Sequence, residues 1–102
     1  TKSIYLLTNT FPENEKFGLI SQLRRASVSI ASNLAEGTSR NTNKDKAHFT
    51  TLAFSSLMEV LNQLIISKEL NFISEADFNK LRENIVKISN MLNALRKAQL
   101  NN

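Results

Sequence analysis

The chain has no cysteine and no tryptophan, and only two glycines, one proline and one histidine in 102 residues. Each scarcity closes a class. Without cysteine there is no disulfide framework and no thiolate metal site. His48 has no second imidazole with which to share a metal, and it reads as a helix-surface residue. Gly18 and Gly37 stand alone, so no glycine-rich loop can cradle a phosphate. A β-rich fold needs more turn residues than these, which favours long helices. Serines are plentiful, but no spacing assembles a Ser/His/Asp set. Glu36 and Glu59 are candidates for a facing carboxylate pair only in principle. Catalysis is not expected, and neither is a metal or a cofactor. No apolar run approaches the ~20 residues of a membrane span. The start, Thr1 to Leu7, is too short and too soon polar for a signal peptide. A cytoplasmic protein with no membrane partner is expected.

What is present fits one domain over residues 1–102. Hydrophobic residues make up 41%, enough for a modest core and too many for disorder. The net charge is +4, with a pI near 9.7. The excess is uneven. Residues 16–40 carry four cations against one acid, and residues 73–102 carry five against three. A balance of this sign suits a polyanion, RNA or DNA first. Ordinary solubility charge is the plain alternative.

Four helical segments follow from the apolar spacing. Ile4, Leu7 and Phe11 mark a short first helix over residues 2–9, ended by Phe11-Pro12. A second is expected from Glu13 to Glu36, with Leu19, Leu23, Ala26, Ile30 and Leu34 on one side. Gly37 is expected as its left-handed cap. Residues 38–43 form a loop, and Thr42 or Asn43 can cap a third helix that runs to Leu70. Phe49, Leu52, Ala53, Leu57, Val60, Leu61, Leu64 and Ile65 supply its core face. Residues 71–73 form a turn. Ser74-Glu75-Ala76-Asp77 resembles a capping box, and Phe78, Leu81, Ile85, Ile88, Leu92 and Leu95 step by three and four to about Lys97. Gln99 to Asn102 should fray. Short loops make this an all-α, antiparallel, up-and-down four-helix bundle. The first helix, at about two turns, covers too little of a bundle groove. Either residues precede Thr1, or another subunit covers the gap.

Three constellations stand out. Arg24 lies on a flank with the small residues Val28, Ala31 and Ala35, where another helix could approach. It would pair across a subunit seam or line a pore, or else lay its stem over the alanines with its charge in water. Arg25, Ser29, Asn33 and Glu36 share the polar arc and form either a solvated face or a polar seam. In the seam, Arg25 meets an acid of another helix, Glu59 first. Arg40, Lys44 and Lys46 crowd the loop and the start of the third helix, where they oppose the helix dipole unless an anion lies nearby. They are the leading candidates for nucleic-acid backbone contact, with Arg24 and Arg25 beside them. No aromatic interleaving is present to stack bases, so phosphate and shape should dominate over sequence. Phe54, Met58 and Ile66, with Phe17, widen the apolar arc beyond what one neighbour covers. They are candidates for a subunit contact together with Val28, Ala31 and Ala35.

Phe11-Pro12, then Gln22-Leu23-Arg24-Arg25-Ala26 through Ser29-Ile30, then Asn33-Leu34-Ala35-Glu36-Gly37, carry a resemblance. So do Ser56-Leu57-Met58-Glu59-Val60 and Gln63-Leu64. The chain resembles the small four-helix bundle proteins encoded by intervening sequences within bacterial 23S rRNA genes. That family is similar in fold to the accessory proteins of diversity-generating retroelements, which assemble as basic pentameric barrels with a reverse transcriptase. The resemblance implies a homopentamer with a basic surface, and it carries over Arg24, Arg25, Asn33, Glu36, Gly37 and Glu59 by identity alone. Ala31 stands where the family often has proline, and the first helix is shorter than the family's.

The expected function is therefore non-enzymatic, homo-oligomeric nucleic-acid binding, RNA before DNA, through backbone electrostatics. The alternatives are an adaptor that docks a reverse transcriptase or a ribosome-associated partner, and a structural bundle with incidental charge.

Overall fold

The computed structural model describes residues 1–101, apart from the side chains of 15–17. Helix α1 spans Lys2–Thr8, α2 Ser21–Thr38, α3 Asn43–Glu69 and α4 Glu75–Asn101. The described residues contain no strand. The chain forms the expected antiparallel four-helix bundle. α3 is the central helix, with α2 and α4 packed along two of its sides, while α1 rests chiefly on α2. The body measures 45 × 24 × 17 Å, so its two ends are well separated.

The helix boundaries follow from local chemistry. Thr42 has extended backbone and its hydroxyl accepts from the Asp45 N–H at 3.1 Å, which caps α3. Thr42→Ala should cost about 1 kcal/mol, read as a lower urea midpoint with an unchanged slope. Ser74 plays the same part for α4, accepting from the Asp77 N–H at 3.0 Å. α3 ends on Asn71, which adopts φ 63°, a conformation that asparagine tolerates better than most residues. The Asn71 N–H bonds the Lys68 carbonyl and the Phe72 N–H bonds the Ser67 carbonyl, so two otherwise orphaned carbonyls are satisfied. The Phe72 ring then packs on Phe11, with centroids 5.6 Å apart.

Three local expectations are corrected. The second helix does not begin at Glu13. A 3-10 turn at Glu13–Glu15 and a wide turn at Lys16–Ile20 precede it, and Gly18 breaks the helical backbone inside the second. Gly37 is no left-handed cap, because α2 runs through it to Thr38 and no glycine has positive φ. It is buried, and a Cβ there would lie 3.1 Å from the Phe49 Cβ. Its missing side chain lets α2 approach α3. The C-terminal residues do not fray at Gln99. α4 continues to Asn101, and the Gln99 amide oxygen accepts from the Thr50 hydroxyl at 2.8 Å.

The core centres on α3 through Ala53, Leu57, Val60 and Leu64, with Leu23 and Ala26 from α2 and Phe78, Ile85 and Leu92 from α4. α1 adds Ile4, and the chain after it adds Phe11. By length and composition α3 is apolar enough to cross a membrane, which polar interruptions hide from a search for unbroken runs. Its central place explains that apolarity, since helices cover two of its sides. On α4 only every seventh residue is fully covered. Leu81 is half-buried, whereas Ile88, Met91 and Leu95 stay exposed.

Candidate functional site

The up-and-down path returns the end of α4 to the α2–α3 loop. The Thr50–Gln99 hydrogen bond fixes this, and so does the Arg96 Nε, which donates to the Thr51 hydroxyl at 2.9 Å. One end of the bundle therefore carries Arg40, Lys44, Lys46, Arg96 and Lys97. Against these five cations stand only Glu36 and Asp45. Glu36 is already engaged, since the Arg40 guanidinium pairs with it across one helical turn. The same guanidinium lies over the Phe49 ring, 4.6 Å from its centroid. Arg40 is thus held in one orientation, Arg96 is exposed but tied to Thr51 through its Nε, and Lys44 and Lys97 are exposed.

The far end has the opposite sign. Glu13, Glu69, Glu75 and Asp77 gather there against Lys68 and Lys80. Lys68 is occupied, its Nζ 4.8 Å from the centre of the Phe78 ring. The charge is therefore polarised along the 45 Å axis. A polyanion would meet one end and be repelled by the other.

The remaining predicted residues fall in different places. Within the chain Arg24 is engaged by α1 and the residue after it. Its Nε donates to the Thr8 hydroxyl at 2.8 Å and its Nη2 to the Asn9 side-chain oxygen at 2.9 Å. The guanidinium sits over the Tyr5 ring at 4.6 Å. Arg24 is the clamp that holds α1 on α2. Arg24→Ala should speed amide exchange throughout α1 while leaving α3 protected, with a stability loss of about 1–3 kcal/mol for the charged hydrogen bonds.

A polar seam does join α2 to α3, but not through charges. The Ser29 and Ser56 hydroxyls lie 2.8 Å apart, and the Asn33 amide donates to Ser29. Gln63 adds a second rung by donating to the Gln22 oxygen at 2.9 Å. Small residues let the helices close here, and Arg25 and Glu59 fall outside the contact, both exposed. No ion pair joins them among the described residues, and Glu36 bonds Arg40 instead.

The proposed subunit-contact set also divides. Val28, Ala31 and Ala35 lie exposed on α2. Phe54 is half-buried and lines a cleft with Leu92 and Arg96, and Met58 is half-buried one turn along. Ile66 is exposed elsewhere on α3. The Phe17 side chain lies outside the described residues. His48 is exposed, edge-on to Phe49. No cluster of His, Asp and Glu among the described residues could hold a metal ion.

Sequence reasoning missed Arg96 and Lys97 as members of the basic end. The signal was available, because in an up-and-down bundle the last turn of the fourth helix lies beside the second loop.

Residues 1–94 match the model of the 23S rRNA-intervening sequence proteins. The chain belongs to the 23S rRNA-intervening sequence protein family. No curated protein matches it. The family match spans both Arg24 and the α2–α3 loop and stops two residues short of Arg96. Of the basic end, Arg40, Lys44 and Lys46 thus lie inside the matched region, while Arg96 and Lys97 lie beyond it.

Proposed function

We propose that this 23S rRNA-intervening sequence protein is a non-enzymatic, self-assembling bundle that holds nucleic acid at its basic end, RNA before DNA. The observation that carries the reading is the convergence of five cations from the α2–α3 loop, α3 and α4 on one end, where one of the two local acids is already paired. Phosphate contacts would position the ligand without reading bases. The described surface supports this. Tyr5, its exposed large aromatic, lies under Arg24 and away from the basic end, where His48 offers an imidazole set edge-on to Phe49. RNA takes precedence because the family is defined by a sequence within an rRNA gene.

Self-assembly rests on the apolar strips of α3. Phe54, Met58 and Ile65 form one, and Leu52 and Ile66 another, on different sides of the helix. Two strips that do not coincide suit head-to-tail contact, the kind that closes rings. The family resemblance gives five as the number of copies.

Fluorescence anisotropy with structured RNA and with a duplex DNA of equal length, from 50 to 300 mM salt, tests the binding. A steep log–log decline with salt and tighter binding to RNA are expected. Salt-independent binding, or none, would reject the reading. Light scattering tests the assembly, with a mass five times the 11.5 kDa chain expected.

A further inference from the structure

A cleft opens between α3 and α4 where the two helices approach the basic end. Thr50, Thr51 and Phe54 line it from α3, and Leu92, Asn93 and Arg96 from α4. It lies on the side of α4 away from α1. Ile85 and Ile88 share a cavity with Ile4, and Asn93 follows Ile88 by five residues, about 140° round the helix.

The cleft holds about 200 Å³. A cavity of about 150 Å³ is enough for one benzene ring, so a single six-membered ring fits with little to spare. The half-buried Phe54 and the buried Leu92 supply its apolar surface. The polar groups around them differ in how far they are engaged. The Thr50 hydroxyl donates to Gln99, and the Thr51 hydroxyl accepts from Arg96 and donates to the Ala47 carbonyl. Among the described residues the Asn93 amide has no hydrogen-bond partner, and the Arg96 guanidinium is bonded through Nε alone, which leaves both Nη groups. No carboxylate lines the cleft.

We propose that this cleft takes one unstacked pyrimidine base of a single-stranded RNA whose phosphates lie on the basic end. The inference rests on the nucleic-acid reading and adds to it a contact with a base. Arg96 connects the two, since it belongs both to the cleft and to the basic end. A strand held by Lys44, Lys46 and Lys97 passes the mouth of the cleft. Its bases, unlike those of a duplex, are free to turn inward. Phe54 gives the ring a flat apolar face. Uracil presents a carbonyl, an N–H and a second carbonyl along one edge. The Asn93 amide can accept from that N–H while donating to one carbonyl, and the Arg96 Nη groups can donate to the other. Cytosine meets the same amide turned over. A purine carries a second ring, for which the volume leaves little room. Phe54 also begins the apolar strip that continues to Met58 and Ile65. A subunit covering the whole strip would close the cleft, whereas one seated on Met58 and Ile65 leaves it open. The proposal commits to the second.

The test uses the full chain and labelled RNA chains of seven nucleotides. One is oligouridine, one is an abasic chain with the same phosphates, and two are abasic chains with a single central uracil or a single central adenine. Anisotropy should show oligouridine binding about tenfold tighter than the abasic chain, the order expected when one base stacks on an aromatic ring. One uracil should recover that gain, and one adenine should not. Asn93→Ala changes an exposed residue to a strong helix former, so the fold is kept. It should cut the uracil gain to about threefold or less, while affinity for the abasic chain and its salt slope stay unchanged. Phe54→Leu keeps an apolar side chain without the ring and should do the same, with a circular dichroism melt to verify its fold. Salt-dependent binding with no difference between the uracil and abasic chains would overturn the proposal and leave the nucleic-acid reading standing. Equal gains from uracil and adenine, or a gain that survives Asn93→Ala, would overturn it too. Failure of every chain to bind would overturn both.

Discussion

Leu64→Ala should destabilise the protein by about 2–5 kcal/mol, a large share of the roughly 5–15 kcal/mol that holds a domain of this size. Leu64 has no exposed surface and lies on the face of the central helix that meets the rest of the core. Truncation removes transfer energy and leaves a void that three helices must collapse to fill. Ile66 provides the contrast, two residues away on the same helix and 37% exposed. Within the single chain Ile66→Ala should cost under about 1 kcal/mol, since an exposed side chain gives up little burial, and any further loss in the assembled protein would be its subunit contact. Urea titrations of both variants measure the difference as a midpoint shift at constant slope. Equal losses would mean that α3 is not the centre of the core.

The same helix shows how far sequence alone carries. Its apolar positions at Ala53, Leu57, Val60 and Leu64 are set by a 3.6-residue period and are buried, whereas Leu52 and Ile65, expected in the same core, lie exposed at its edges. The caps at Thr42 and Ser74 are equally local, because a short polar side chain and a free N–H are all that is needed. The misreadings arise where a residue answers to a distant neighbour. Gly37 was a left-handed cap by composition, but its tertiary contact with Phe49 decides its use, and the left-handed residue is Asn71. Arg24 shares a flank with Val28, Ala31 and Ala35, and nothing in that spacing reveals its contacts within the chain. Its partners, Thr8 and Asn9, are 16 and 15 residues away, and helical period says nothing about them. Glu36 found Arg40 one turn on, a local solution that left Arg25 and Glu59 in water.

The basic end illustrates a third kind of inference, which needs topology as well as pattern. Arg40, Lys44 and Lys46 are visible as a cluster in the chain. Arg96 and Lys97 join them only once the fourth helix is known to run back past the second loop. The exposed stripe of α4 lies beyond pattern reading for a related reason. Phe78, Leu81, Ile85, Ile88, Leu92 and Leu95 form one unbroken periodic series, yet Ile88 and Leu95 stay open. Periodicity identifies a face fit for burial, and the position of the other helices decides how much of that face is covered.

Replacing Lys44, Lys46, Arg96 and Lys97 together by glutamine should abolish most of the nucleic-acid affinity. All but Lys46 are exposed. Arg40 is left in place because its guanidinium stacks on Phe49 and pairs with Glu36, so its loss would confuse folding with binding. Each phosphate contact removed should make the log–log salt slope shallower by about 0.9 on duplex DNA and about 0.7 on a single strand. Four lost contacts would therefore flatten the slope by about 3.6 on a duplex and about 2.8 on a single strand. The control replaces Lys2, Lys80, Arg82 and Lys87, all exposed and all away from the basic end. Both variants lose the same four charges, so bulk attraction falls equally in each. A localised site predicts that only the first variant loses its salt slope, because released counterions belong to phosphates that are actually touched. Equal losses in the two variants would show that net charge alone attracts the polyanion, and the basic end would then not be a binding site.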